Sequence, residues 1–401
     1  MKALIIGASE EALHTIEKAK EQGLTVVCMD GNPDAAGLKQ ADEAIVVNIS
    51  NEEDTIAAAR KVEPDFLLTV PIGRYLTTTG AVNEDLDLPG IGKEAAVNCT
   101  DKWKFHRLLE EKGLRKGRCI LLTSWEEDGE GHVLEDFPYP AVLKPRFGSG
   151  SRGILVVENG EEAKKAIEEI RDGDEEDYLL EECVEGEEYG IDGAVIRGKF
   201  YLILLRKKEN TPFPARQAVA YFSVLPTDEF YGQVEAYLKQ VVSTLNLEEC
   251  LLHGDIIRTG QGPFLIELSA RPSGHNLHNL FTPLATGVDM AGEYIAYRMG
   301  KSCSFTPSCT RKLMIHYFDL EGEVKRVPSS EEVEALAIKK GCRLIQWECK
   351  IKPGEILKKV CDGHSLMGRG YYILEESTET EGEEGFKQLA DEIRKLTIRI
   401  N

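Results

Sequence analysis

A chain of 401 residues predicts two to four domains at the usual ~100 to 200 residues each, with more than one hydrophobic core. Its 48 Lys and Arg against 69 Asp and Glu leave a net charge of −21, which argues against duplex nucleic acid, although not against a local basic pocket for a small polyanion. No window approaches ~18 consecutive apolar residues, and the 10 Cys contain no C-x-x-C pair, so neither a membrane span nor a secretory signal is expected and a cytoplasmic enzyme is.

In chain order, residues 2–6 form a short apolar run closed by Gly7, an amphipathic stretch reaches Gln22-Gly23, and Leu24 to Met29 form a second run ending in Asp30. Strand, helix, strand at this spacing is a parallel unit. Ala44 to Val47 and Phe66 to Val70 add two strands, with Ser50-Asn51-Glu52-Glu53 read as the capping box of the helix between them. The first ~95 residues thus read as an open, doubly wound α/β sheet. A dinucleotide site needs G-x-G-x-x-G after the first strand, but Gly7 is followed by Ala-Ser-Glu-Glu-Ala. Asp30 therefore reads as a turn residue before Gly31-Asn32-Pro33.

Thr100 is expected to cap a helix carrying Phe105, Leu108 and Leu109 and stopping at Gly113. Strand Ala141 to Lys144 leads into the loop Pro145 to Gly153, then strand Ile154 to Val157 and an amphipathic helix through Ile170. Tyr178 to Glu182 is a strand, and Tyr189 to Ile196 with Phe200 to Arg206 is a hairpin. Strand-like runs and a final helix follow Arg311.

Three stretches can carry chemistry. The loop Gly148-Ser149-Gly150-Ser151-Arg152-Gly153 offers bare backbone N–H groups to phosphate, or is a plain flexible hairpin. Lys144 tips the balance, because a cation in an apolar strand costs desolvation unless it meets an anion. Glu181 to Glu188 can present backbone groups to an adenine edge and a carboxylate to ribose. Third, a hairpin loop Thr259 to Pro263 centred on Gln261 sets Asp255 opposite Glu267 and His253 opposite Ser269. Glu267, Ser269 and Arg271 then share one face, while Phe264, Ile266, Leu268 and Ala270 share the core face. Opposed carboxylates stand only ~5 Å apart at Cβ, a repulsion that a hard cation such as Mg²⁺ relieves and that solvent screens on an open surface.

Together these features resemble the ATP-grasp superfamily of carboxylate ligases. Thr100-Asp101-Lys102 resembles its Asp-Lys entry, Val142 to Pro145 its phosphate-lysine strand, and Gly148 to Gly153 its glycine loop. Glu181-Glu182-Cys183-Val184 resembles its adenine hinge, with Glu188 in the ribose position. Asp255 and Glu267 match its two metal acids and Arg271 the arginine of Glu-x-Asn-x-Arg. Ser269 departs from that motif: a hydroxyl is a weaker ligand than the usual amide oxygen. Glu267 to His275, Thr286 to Asp289, and Asp362 to Tyr371 are similar to carbamoyl-phosphate-synthase-like ligases, especially L-amino-acid ligases.

The resemblance implies a mixed α/β and α+β chain with a Rossmann-like domain at 1–97, an ATP-grasp domain at 98–310 and a C-terminal closing domain at 311–401. The ATP-grasp domain would divide into a glycine-loop subdomain at about 115–185 and a metal-binding subdomain at about 186–310. ATP and Mg²⁺ are the implied cofactors. Lys102, Lys144, Gly148, Ser149, Gly150 and Ser151 would meet the phosphates; Glu181, Glu182, Val184 and Glu188 the nucleoside; Asp255, Glu267 and Ser269 the metal. Arg271 and Lys144 would serve catalysis, joining a small carboxylate to an amine through an acyl phosphate, with no nucleic-acid or membrane partner. A homo-oligomer, purine-type or bicarbonate chemistry, and a regulator without turnover stay open. So do His275, near the second substrate or simply a turn residue, and Lys208 and Arg216, at phosphate or on the surface.

Overall fold

The computed structural model describes residues 1–122, 134–148, 153–171, 177–212, 216–360, 363–377 and 382–397. Strands β1 (Lys2–Ile6), β2 (Thr25–Asp30), β3 (Glu43–Val46) and β4 (Phe66–Leu68) form a parallel sheet in the order β3-β2-β1-β4. Both faces of β1 and β2 are covered, which is why they read as continuous apolar runs. Gly7 turns at φ 91°, and Asp30 accepts the Ala8 and Asn32 N–H groups at 2.7 and 2.8 Å. Its carboxylate therefore builds the turn, as expected.

Two helix starts differ from expectation by one residue. Asn51 caps Glu52–Val62 by accepting from Asp54 N, while the Ser50 hydroxyl donates to Asn48. Asp101, not Thr100, caps Lys102–Glu111, accepting from Trp103 N and Lys104 N. A carboxylate takes both N–H groups and favours the positive helix end, whereas Thr100 Oγ1 donates back to Ala96 O in the preceding helix.

β5 (Cys119–Leu122), β6 (Ala141–Pro145), β7 (Leu155–Val157) and β8 (Tyr178–Glu182) form an antiparallel sheet in the order β5-β8-β6-β7. β6 and β7 flank the glycine-rich loop. Ser149, Gly150, Ser151 and Arg152, and with them most of that loop, lie outside the described residues.

The largest sheet draws on β9 (Glu187–Ile196), β10 (Lys199–Asn210), β11 (Ala218–Val224), β12 (Cys250–Thr259), β13 (Gly262–Ser269) and β14 (Leu313–Tyr317). β15 (Gly322–Glu323) pairs apart from it with β17 (Ile356–Leu357), while β16 (Cys342–Cys349) and β18 (Gly370–Glu376) complete the order β13-β12-β9-β10-β11-β14-β18-β16. This sheet runs without a break across residue 311, because β14 pairs with β11. Helix Glu229–Thr244 packs Phe230, Val234, Leu238 and Val241 into its core.

The β12–β13 hairpin departs from expectation in its turn and agrees at its far end. Thr259 pairs with Gly262, so the turn is Gly260-Gln261, and a bulge then leaves Ile266 without a partner of its own. The extra residue restores Asp255 opposite Glu267 and His253 opposite Ser269. It also flips the alternation, so Leu265 joins Leu268 and Ala270 in the core, while the expected Phe264 and Ile266 do not. Phe264 instead lies under the Arg115 guanidinium, 4.7 Å from ring centre to carbon.

Beyond β13 the chain is anchored by a fully buried ion pair. Arg206 Nη2 lies 3.1 Å from Asp192, whose carboxylate also accepts from Ser273 at 2.7 Å and Thr282 at 2.5 Å. The segment carrying Arg271 is thereby tied to β9 and β10. Among the described residues, no helix is long and apolar enough to cross a membrane.

Candidate active site

On the non-core face of β12 and β13, ligand atoms of His253, Asp255 and Glu267 all lie within 4.8 Å of one another. Oxygen ligands sit ~2.0 to 2.6 Å from Mg²⁺ or Ca²⁺, so two of them span at most about twice that distance, and the trio fits one divalent ion. Lys208 Nζ lies 2.6 Å from Asp255 Oδ1. Burial would raise the Asp255 carboxyl, but the Lys208 ammonium and the His253 ring hold it below the ordinary carboxylate value. Burial likewise opposes the Lys208 charge, and Asp255 outweighs it. With its side chain 8% exposed, Lys208 is no solvated surface residue. Glu267 forms no salt bridge among the described residues. Burial pulls the His253 imidazole down to about 4 against the attraction of Asp255.

Arg271 follows two residues beyond Ser269. Its Nη1 donates to Pro272 O at 2.9 Å and its buried Nε has no partner. Burial lowers its pKa, while Glu267, Glu11 and Asp255 pull the other way. The neighbouring His275 adopts φ 58°, with its N–H donating to Glu11 at 2.8 Å.

The second cluster surrounds Glu181, which is 5% exposed on β8. Lys144 Nζ approaches it at 2.8 Å, His106 Nδ1 at 3.1 Å and Arg115 Nη2 at 3.2 Å. The anion that Lys144 demanded is therefore present within the chain. Burial, then Lys144 and Arg115, drive the His106 pKa far down, so its ring is neutral. Two cations on one carboxylate leave one positive charge in excess, a balance that an anionic ligand completes. Lys102 Nζ donates to Pro145 O at 3.2 Å and Gly148 O at 3.0 Å, at the mouth of the glycine loop. Arg146 fixes this corner, gripping Asp101 through two bonds of 2.9 and 2.7 Å.

Along the expected hinge, Glu182 is exposed and accepts from Arg118 N at 3.2 Å. Among the described residues, Val184 enters no backbone hydrogen bond, as a backbone that reads a flat polar ligand edge requires. Glu188 is ion-paired with Arg216, which accounts for a cation whose partner the sequence left open.

A family model described as an ATP-grasp domain matches residues 137–278, the region holding Lys144, Glu181, Asp255, Glu267, Ser269 and Arg271. A D-alanine–D-alanine ligase from Clostridium perfringens (strain SM101 / Type A) is 27% identical over 266 residues, covering 64% of this chain and 85% of that protein. The L-amino acid ligase structure from Bacillus licheniformis superposes with a TM-score of 0.75 at 20% identity, covering 98% of this chain and 97% of that one. Residues 137–278 are an ATP-grasp domain. The ATP-grasp fold is shared further with the biotin carboxylase domain dimer of a Hydrogenobacter thermophilus 2-oxoglutarate carboxylase, solved with MgADP, ADP and bicarbonate. That likeness has a TM-score of 0.66 at 18% identity, over 94% of this chain and 86% of that one.

Around this ATP-grasp domain, Arg115, His106 and the ligand-like placement of His253 are site features that the sequence expectations did not include. For His253 the signal was there: two residues before Asp255 on one strand is the same face. Arg115 carries no such signal, since only the approach of the helix end to β8 brings it to Glu181.

Proposed function

We propose that the protein joins a carboxylate of the amino-acid class to an amine through an acyl phosphate, splitting ATP to ADP and phosphate. The observation that carries this reading is the register of β12 and β13, which sets Asp255 against Glu267 with Arg271 two residues past Ser269. That arrangement would set terminal phosphates and a substrate carboxylate side by side. An adenylating enzyme would need the carboxylate at the α-phosphate instead.

Asp255 and Glu267, with Ser269 beside them, would hold Mg²⁺, which when bound offsets charge on the transferring phosphate. Lys102 and Lys144, with Gly148, Ser149, Gly150 and Ser151 of the loop, neutralise the phosphate chain. Val184 reads the base edge, with Glu181 and Glu182 flanking it, and Glu188 takes the ribose once Arg216 shares it. Arg271 orients the attacking carboxylate and then the tetrahedral oxyanion by a planar fork of donors. Water must be kept from an acyl phosphate, and the region from β14 on, which reaches the segment after Arg271 where Tyr317 Oη donates to the His275 carbonyl, would cover it.

Incubation with ATP, Mg²⁺ and pairs of amino acids should release ADP and phosphate in step with a dipeptide, in bicarbonate-free buffer. Release of AMP and pyrophosphate would overturn the reading. Turnover that needs bicarbonate would assign the carboxylase-type alternative.

A further inference from the structure

We propose that His253 is a direct ligand of the divalent cation, giving this site one imidazole nitrogen beside the carboxylates of Asp255 and Glu267. The inference rests on the cation site of the proposed ligase and specifies its donor set. Three observations support it. His253 lies two residues before Asp255 on β12, so both side chains leave the same sheet face, and across the ladder they stand opposite Ser269 and Glu267. A ring nitrogen of His253 and one oxygen from each acid lie within 4.8 Å of one another, yet no hydrogen bond or ion pair joins the ring to either acid among the described residues. Close together yet without a bond between ring and acid, these ligand atoms suit an ion held between them. Finally, Nδ1 of His253 is buried without a partner, a cost that a metal bond removes.

The neighbouring residues leave this role to His253. Ser269, directly opposite, offers a hydroxyl, which is the weaker donor. Lys208 is engaged with Asp255 and carries no lone pair to donate. Imidazole is a softer ligand than carboxylate, and first-row transition ions accept it more readily than Mg²⁺ does. The site should therefore hold Mn²⁺ about tenfold more tightly than Mg²⁺, with most of that preference lost in His253→Gln.

The test is pulsed electron paramagnetic resonance of Mn²⁺ bound to the full chain with ADP. Nitrogen-14 modulation of the strength given by a directly coordinated imidazole is expected. It should change to the nitrogen-15 pattern when the protein is grown on labelled histidine, and vanish in His253→Gln. The labelling arm needs no variant, so a folding defect in His253→Gln would not spoil the answer. Bound Mn²⁺ without nitrogen coupling, or with coupling unchanged in a folded His253→Gln, would remove His253 from the site and leave the carboxylate site standing. Failure of Mn²⁺ and ADP to bind together would overturn both the ligand assignment and the ligase reading.

Discussion

Replacing Glu267 with Gln is expected to lower turnover by about 10³-fold, because a metal acting on a transferring phosphate is worth several kcal/mol and each 1.36 kcal/mol is tenfold in rate. The substitution keeps the shape and removes one charge. Asp255 has Lys208 at 2.6 Å to satisfy it, whereas Glu267 has no salt bridge among the described residues, so its charge has no structural employment. Thermal stability should therefore be unchanged or slightly raised, since relief of the Asp255–Glu267 repulsion favours the fold. Nucleotide binding should persist in weakened form through Lys102, Lys144 and Val184. Full activity in a folded Glu267→Gln variant would refute the metal assignment.

Arg271→Lys should lower kcat/KM for the carboxylate by about 100-fold, the scale of losing one oriented donor at a developing oxyanion. The charge is retained and the fork is lost, which separates a specific bidentate role from bulk electrostatics. Among the described residues, the Arg271 side chain has one hydrogen bond, to the adjacent Pro272 carbonyl, so it is not a strut of the fold. The Asp192–Arg206 pair with Ser273 and Thr282 is that strut, and it is unaltered in this variant. ATP affinity should move less than about threefold. A parallel loss for ATP and carboxylate would place Arg271 in the scaffold rather than at the substrate.

Much of this site was legible because a strand has a period of two. Once two apolar runs are read as a hairpin, the face shared by His253 and Asp255 and the face shared by Glu267, Ser269 and Arg271 follow from counting. The pairing came out right through two offsetting departures: a tighter turn at Gly260-Gln261 and an extra residue at Ile266. Counting sees neither, since a bulge is one residue without a composition cue, and the misassigned core role of Phe264 and Ile266 is its trace. Lys144 shows the complementary limit. Desolvation demands an anion for a lysine in a strand, but that Glu181, Arg115 and His106 surround it depends on β8 lying between β5 and β6, a strand order that no local pattern encodes. The one-residue slips at Asn51 and Asp101 arise where adjacent residues are all good caps and tertiary contacts choose among them. For Asp101 the chooser is visible, as Arg146 holds both carboxylate oxygens from the next subdomain.

The central claim is that a carboxylate attacks the terminal phosphate of ATP beside Asp255, Glu267 and Arg271. Oxygen-isotope transfer tests it most directly. Enzyme, ATP, Mg²⁺ and a productive amine are incubated with a carboxylate substrate labelled in both oxygens, and the phosphate and nucleotide products are analysed by mass. The expected result is one labelled oxygen in inorganic phosphate for each amide formed, with unlabelled ADP as co-product. Label recovered in AMP, or phosphate free of label while amide accumulates, would contradict the account.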